Sequence, residues 1–307
     1  MKISTNLLFQ RGASQMSLVQ SQLAKSQAQL AQGKQVINAS DAPNQSSTIQ
    51  RLQSLLSRQE SYQSSLNTVR TRLQGEEIVL QSVGDLIVRA KEVALQGAND
   101  TLNAGNREAL AKEMQALRDQ MLSLANTKDS NGNYLFAGSR VKQPAFSETA
   151  NGSPVYLGDQ THMNVRVGEQ RSIAVNRTGT DAFVSVARID KEGTSVGVGF
   201  FKVMDDLIAG LKEVNRDNIR RGVGELDTLQ TGVSEAQAQV GTNLNVVDQQ
   251  NSVIEDTTLN LKTTLSSIED LDFATAITKM NQQMMSLEAA QSSFAKISQL
   301  NLFNFIK

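Results

Sequence analysis

Gly193-Thr194-Ser195-Val196-Gly197 is the stretch whose residue types and spacing match a catalytic pattern, the G-x-S-x-G turn that presents a nucleophilic serine in α/β hydrolases. That serine needs a histidine later in the chain and a strand-turn-helix of a parallel sheet beneath it. The single histidine, His162, comes before it, and no such sheet is foreseen, so the stretch reads as a flexible glycine loop. A lone histidine does not build a metal site either. No ligand spacing surrounds His162, which reads as an exposed strand residue, and the absence of cysteine removes both thiolate ligands and disulfides. No glycine-rich phosphate loop precedes a helix with a lysine in place. Arg216, Arg220 and Arg221 form a small basic cluster whose default reading is a solvated helix start rather than a docking patch. The residues therefore predict no enzyme, no metal and no cofactor.

What the sequence does carry is a pattern for assembly. Leu226, Val233, Val240, Val247, Ile254, Leu261 and Ile268 are seven residues apart, and after Glu269-Asp270 the step resumes in Phe273, Met280, Leu287 and Phe294. Seven is close to two turns of helix, so each series is one stripe along a helix of the kind that supercoils with a partner. The first run alone would make a helix of roughly 65 Å at 1.5 Å per residue, too long to stand by itself. At the other end Phe9, Met16, Leu23, Leu30 and Ile37 keep the same step. Beyond Pro43, Leu52, Leu66, Leu73, Leu80 and Ile87 repeat it, supported by Leu55, Tyr62, Val69 and Val83. The economical fold is mainly α: a long antiparallel helical rod or coiled coil of N- and C-terminal helices, with the middle of the chain looped out at one tip.

Helices are predicted from about Asn6 to Gly33, Asn44 to Leu95 and Arg107 to Asn126, and again from Phe200 onward. Gly33 supplies a C-terminal stop. Ser40 or Asp41 could cap the second helix, with Pro43 tolerated in its first turn. Between them, Asp129-Ser130-Asn131-Gly132-Asn133 is turn chemistry. Tyr134-Leu135-Phe136, Val155-Tyr156-Leu157, Met163 to Val167 and Arg171 to Val175 read as strands. Three parts are expected: residues 1–43 with 269–307 as a terminal assembly region, 44–129 with 200–268 as the helical rod, and 130–199 as a β-rich outer module.

Composition agrees. About 45 per cent of the 307 residues are apolar if glycine is counted and tyrosine left out, so a packed core is within reach. A net charge of -1 recommends neither nucleic acid nor an anionic membrane as partner. No apolar run approaches a membrane span, and Leu7-Leu8-Phe9 is too short for the core of a secretory signal. Residues 1–50 and 273–307 carry about half the chain's 20 per cent charge density, which fits surfaces that become buried against other subunits. The apolar tail with Phe303, Phe305 and Ile306 also needs cover. Both ends are accordingly predicted to be largely disordered in a dilute monomer and to fold on assembly.

Particular segments carry a resemblance. The start Met1 to Asn6, the Gly33 to Pro43 connector, Ala125-Asn126, Tyr134-Leu135-Phe136-Ala137-Gly138, Pro144-Ala145-Phe146, Tyr156-Leu157-Gly158-Asp159 and the closing Leu300 to Phe305 together resemble the flagellin-like hook-associated proteins of the bacterial flagellum's hook-filament junction. One departure is Ala42, where the family usually has a second aspartate before the proline. The resemblance implies a secreted, extracellular structural subunit exported unfolded through the flagellar type III apparatus, its C-terminal part held meanwhile by an export chaperone. It implies a ring of copies of itself seated on the first hook-associated protein, with flagellin added beyond. The assembly interface is then expected at Phe9, Met16, Leu23, Leu30, Ile37, Phe273, Met280, Leu287, Phe294, Leu302, Phe303 and Phe305, with Gly33, Ser40, Asp41 and Pro43 as the connector turn. Flagellin or another axial flagellar protein is the alternative within this class, and a cytoplasmic helical scaffold or signalling protein the alternative outside it.

Overall fold

The seven-residue stripes become helices. The computed structural model describes residues 2–99, 102–148, 152–189 and 193–299, with side chains from Leu7 to Lys296 apart from Leu8. In chain order the elements are α1 (Lys2–Gln32), α2 (Pro43–Gly97), α3 (Ala104–Ala125), β1 (Phe146–Glu148), β2 (Pro154–Tyr156), β3 (Asn164–Arg166), β4 (Ser172–Ala174), α4 (Gly179–Ala182), β5 (Val186–Ile189), β6 (Ser195–Val198), α5 (Phe200–Glu213), α6 (Arg216–Glu269) and α7 (Phe273–Gln299). The protein is thus mainly α, with short antiparallel strand pairs confined to the middle of the chain, as the stripes and turn residues predict.

Local chemistry sets the boundaries. α1 stops at Gln32 because Gly33 takes φ 68°, a left-handed conformation that costs glycine little. Asn103 caps α3 by accepting the Asn106 N–H at 2.8 Å. Asp272 caps α7, accepting from the Ala274 N–H at 3.0 Å and from the Thr275 hydroxyl at 2.7 Å; these bonds hold its carboxyl below the ordinary aspartate range, that from the Thr275 side chain foremost. α5 ends at Val214 with φ 61°, an uncommon conformation for a β-branched residue.

The chain divides into two compact units, residues 1–58 with 256–307 and residues 59–255. Residues 44–58 and 256–268, expected from the sequence with the rod, fall with the end segments in this division.

In the unit of residues 59–255, Leu66, Val69, Leu73, Leu80, Val83 and Ile87 of α2 and Leu226, Val233, Val240, Val247 and Ile254 of α6 are buried. Ion pairs Arg70–Asp248 and Lys91–Asp227 and the amide pair Gln63–Asn251 join the same two helices. α3 packs on α5. Phe136, Phe146, Phe183, Phe200 and Phe201 form an aromatic cluster whose rings meet mostly edge to face at 5.2–5.5 Å, the arrangement the ring quadrupoles favour.

The strands form three separate antiparallel pairs, β1–β2, β3–β4 and β5–β6. The segments singled out by the resemblance hold this region together. Asn126 and Phe146 exchange bonds, side-chain amide to carbonyl at 2.8 Å and backbone N–H to amide oxygen at 2.9 Å. The Tyr156 hydroxyl donates to the Asp159 carbonyl at 2.7 Å and the Phe136 carbonyl at 3.0 Å. Gly138, at φ 69°, lies so close to Asp159 that a Cβ there would sit 2.3 Å from its carbonyl oxygen. Two expected strands differ. Tyr134-Leu135-Phe136 makes only a single bridge, Tyr134 to Lys128, because turns and the Arg72 guanidinium take its backbone groups. His162 precedes β3 and does not lie in it, since the Asn176 side chain occupies the neighbouring backbone through the Met163 N–H and the Thr161 carbonyl.

Candidate assembly surface

The Gly193–Gly197 stretch turns at Gly193, φ 82°, and enters β6, where Ser195 sits opposite Ile189 in a two-stranded hairpin. No strand-turn-helix presents the serine. Among the described residues no group of three His, Asp or Glu side chains is placed to hold a metal ion, and no described helix is long and apolar enough to cross a membrane. Arg216, Arg220 and Arg221 occupy the exposed first turns of α6, with Arg221 3.5 Å from Glu225 one turn on.

The end segments carry the built feature. α1 and α7 run antiparallel, and the residues of the seven-step stripes meet along their seam. Phe9 stacks obliquely on Phe294 with ring centroids 4.4 Å apart. Phe9, Met16, Leu23 and Leu30 of α1, and Met280, Leu287 and Phe294 of α7, are all only half-buried. Between the large residues of α1 come Gly12, Val19 and Ser26, with Gly33 just past its end, and between those of α7 come Ala276, Gln283 and Ala290. A Cβ on Gly12 would meet the Phe294 ring at 3.3 Å, and one on Gly33 the Phe273 ring at 3.5 Å, so a glycine notch receives a phenylalanine at either end of the seam.

Polar contacts fix the register. The Ser26 hydroxyl, itself buried, donates to the Gln283 side-chain oxygen at 2.8 Å. Where α6 gives way to α7, the Leu271 N–H donates to the Gly33 carbonyl at 3.0 Å and the Gln35 N–H to the Glu269 carbonyl at 2.8 Å, while Lys34 Nζ lies 2.7 Å from Glu269 Oε1. A one-turn slip would break every one of these bonds.

The connector folds on Asp41. Its carboxylate accepts from the Asn38 N–H at 2.9 Å and the Ile37 N–H at 3.2 Å and pairs with Lys25 at 2.7 Å; the Lys25 contact is the main reason its carboxyl lies below the ordinary range. Asp41 therefore closes the turn backwards rather than capping α2, and Pro43 opens α2 as its first residue. Ser40 is exposed, and Ile37 is half-buried beside buried Val36. Ala42, standing where a second carboxylate was expected, accepts the Gln45 and Ser46 N–H groups through its carbonyl, a contact that needs no acidic side chain.

Leu302, Phe303 and Phe305 lie outside the described residues. Sequence spacing also passed over a second apolar set beside the seam: Leu7 and Leu18 on α1, and Ile277, Met284 and Met285 on α7, exposed by 41 to 65 per cent. Ile277 and Met284 are themselves seven apart, beside the seam stripe.

The fold is therefore mainly helical, with end helices paired over an incompletely covered seam and the strands held in the middle of the chain. Residues 3–141 match the bacterial flagellin N-terminal helical region and residues 223–306 the bacterial flagellin C-terminal helical region, together most of the chain. The chain belongs to the bacterial flagellin family. It is 29% identical over 320 residues to flagellar hook-associated protein 3 of Escherichia coli, covering 100% of both chains. To flagellar hook-associated protein 3 of Salmonella typhimurium it is 27% identical, covering 99% of each. In fold it is similar to the crystal structure of flagellar hook-associated protein-3 from Legionella pneumophila, with a TM-score of 0.65 and 18% identity over 72% of this chain and 98% of that one.

Proposed function

We propose that the chain is a structural subunit of the bacterial flagellum that forms the junction between a hook-associated protein and the flagellin filament, and that it assembles through α1 and α7. The observation that carries this reading is the half-covered state of the end segments: a seam only partly buried, with Leu7, Leu18, Ile277, Met284 and Met285 turned outward. Two paired helices cannot shield apolar residues on their outer faces, and neighbouring copies can. The full-length likeness to hook-associated protein 3 supports placing the subunit at the junction rather than along the filament. The seam residues Phe9, Met16, Leu23, Leu30, Phe273, Met280, Leu287 and Phe294 shape each subunit's contact face, Ile37 and the connector hold it at the inner end, and the tail with Leu302, Phe303 and Phe305 completes the contact. Partners are further copies of this chain in a ring, the first hook-associated protein, flagellin, and an export chaperone on the C-terminal part; nucleic acid and membrane have no part. The subunit acts outside the cell, without catalysis or cofactor.

Replacing Ile277 and Met284 by aspartate in the full chain, in a motile strain lacking the native copy, tests this. The variant should be exported and soluble, while filaments are lost and flagellin appears in the medium. Deleting Leu300 to Lys307 should do the same. Cells that keep full-length filaments and normal swimming with either change would contradict the assignment.

A further inference from the structure

Besides the residues that meet in the seam, α1 and α7 each carry a second stripe, and the two stripes fit each other. On α1, Leu7, Arg11, Ser14 and Leu18 stand at i, i+4, i+7 and i+11, which is one helix face, and all four are exposed, Leu7 by 49 and Leu18 by 53 per cent. Together with Gln10 and Gln15 they line a shallow groove of about 570 Å³. On α7, Ile277, Met284 and Glu288 stand at i, i+7 and i+11 and are likewise exposed. Each stripe thus joins a pair of apolar side chains to one charge, basic on α1 and acidic on α7.

The charges are as specific as the apolar groups. Glu288 is the single acidic residue in the sequences of α1 and α7. Lys25 of α1 is paired with Asp41, whereas among the described residues neither Arg11 nor Glu288 has an ion-pair partner. Within one chain they are held apart: Gly12 lies against Phe294 and Gly33 against Phe273, which sets Glu288 level with Leu18, about seven residues and roughly 10 Å along the axis from Arg11. Between copies they can meet. If Leu18 of one copy is seated between Ile277 and Met284 of the next with the helices antiparallel, Arg11 comes opposite Glu288. With the helices parallel, the same seat would bring Arg11 opposite Phe273 and Ala274, where there is no charge.

We propose that the outward stripe of α1 docks antiparallel on the outward stripe of α7 of the next copy, with Leu18 seated between Ile277 and Met284 and the Arg11 guanidinium paired with the Glu288 carboxylate. This rests on the assembly role proposed above and names the contact through which it works. Because the complementary stripes lie on different helices of one molecule, the contact is head-to-tail, and a contact of that kind repeats from copy to copy until a ring closes. The apolar seat supplies most of the attraction. The ion pair, exposed at its edge, adds little affinity but disfavours the registers one turn away, in which Arg11 would face Met284 or Ser292.

The test uses the full chain in a motile strain lacking the native copy, with flagellin shed into the medium as the readout. Arg11→Glu and Glu288→Arg each set like charges face to face, and each should shed roughly threefold or more flagellin compared with the wild-type chain. The double variant Arg11→Glu/Glu288→Arg restores the pair with its signs exchanged and should return shedding to the wild-type level. Coexpression of the two single variants should lower shedding as well, since each supplies the charge that the other lacks. Single variants that shed no more than the wild type would overturn the pairing, as would a double variant no better than the singles. Rescue by the double variant without any rescue by coexpression would place the pair inside one chain and overturn the contact between copies. A wild-type chain that does not retain filaments in that strain would remove the assembly role itself, and the pairing with it.

Discussion

Residues 59–255 and the end segments 1–58 with 256–307 use the same seven-residue apolar step and bury it to very different extents. Leu226, Val233, Val240 and Val247 of α6 have no exposed surface, whereas Leu261 and Ile268, later on the same stripe, are only half-buried. Among the described residues, the buried hydrophobic ones in the end segments are Val36, Ile49 and Leu52. The larger unit has α3, α5 and the strand pairs to cover its stripes; along α1 and α7 each stripe has one partner helix. Periodicity thus specifies which face seeks cover, and the number of surrounding elements determines how much it finds. On the proposed function, the remainder is what neighbouring subunits would cover.

Three substitutions measure that contrast. The largest effect is expected in the aromatic cluster: Phe201→Ala, 1% exposed among Phe146, Phe183 and Phe200, should destabilise the monomer by about 3–5 kcal/mol in urea titration. In the seam, Leu23→Ala should change the stability of the dilute monomer by less than about 0.5 kcal/mol, because residues 2–40 are not held closed there, yet it should abolish polymerisation measured by sedimentation. A loss at Leu23 as large as that at Phe201 would erase the distinction between the regions. The third change should be a gain: Val214→Gly relieves the left-handed backbone at the end of α5 and should stabilise residues 59–255 by about 0.5 kcal/mol, readable as a raised melting temperature.

The stripes were legible because a seven-residue step survives any tertiary context, and so the helices and most of the seam could be read in advance. The notches at Gly12 and Gly33 could not, since a glycine on a helix face gains meaning only when the opposing phenylalanine is known. Ser26 and Gln283 look like solvated residues until the register brings them together. Ile277 and Met284 repeat at seven residues but are masked by the stronger stripe beside them. Asp41 resembles a helix cap in sequence and instead folds back on Ile37 and Asn38, a choice made by Lys25 one helix away. Strand limits were approximate because three-residue strands depend on side-chain bonds such as those of Asn176 more than on alternation.

Amide hydrogen exchange on the dilute monomer and on the assembled protein tests the central claim most directly. In the monomer, residues 59–255 should be protected while residues 2–40 and 273–299 exchange within the first time points, and assembly should bring these ends close to the protection of the larger unit. Ends as protected in the dilute monomer as residues 66–87, with no change on assembly, would contradict the account.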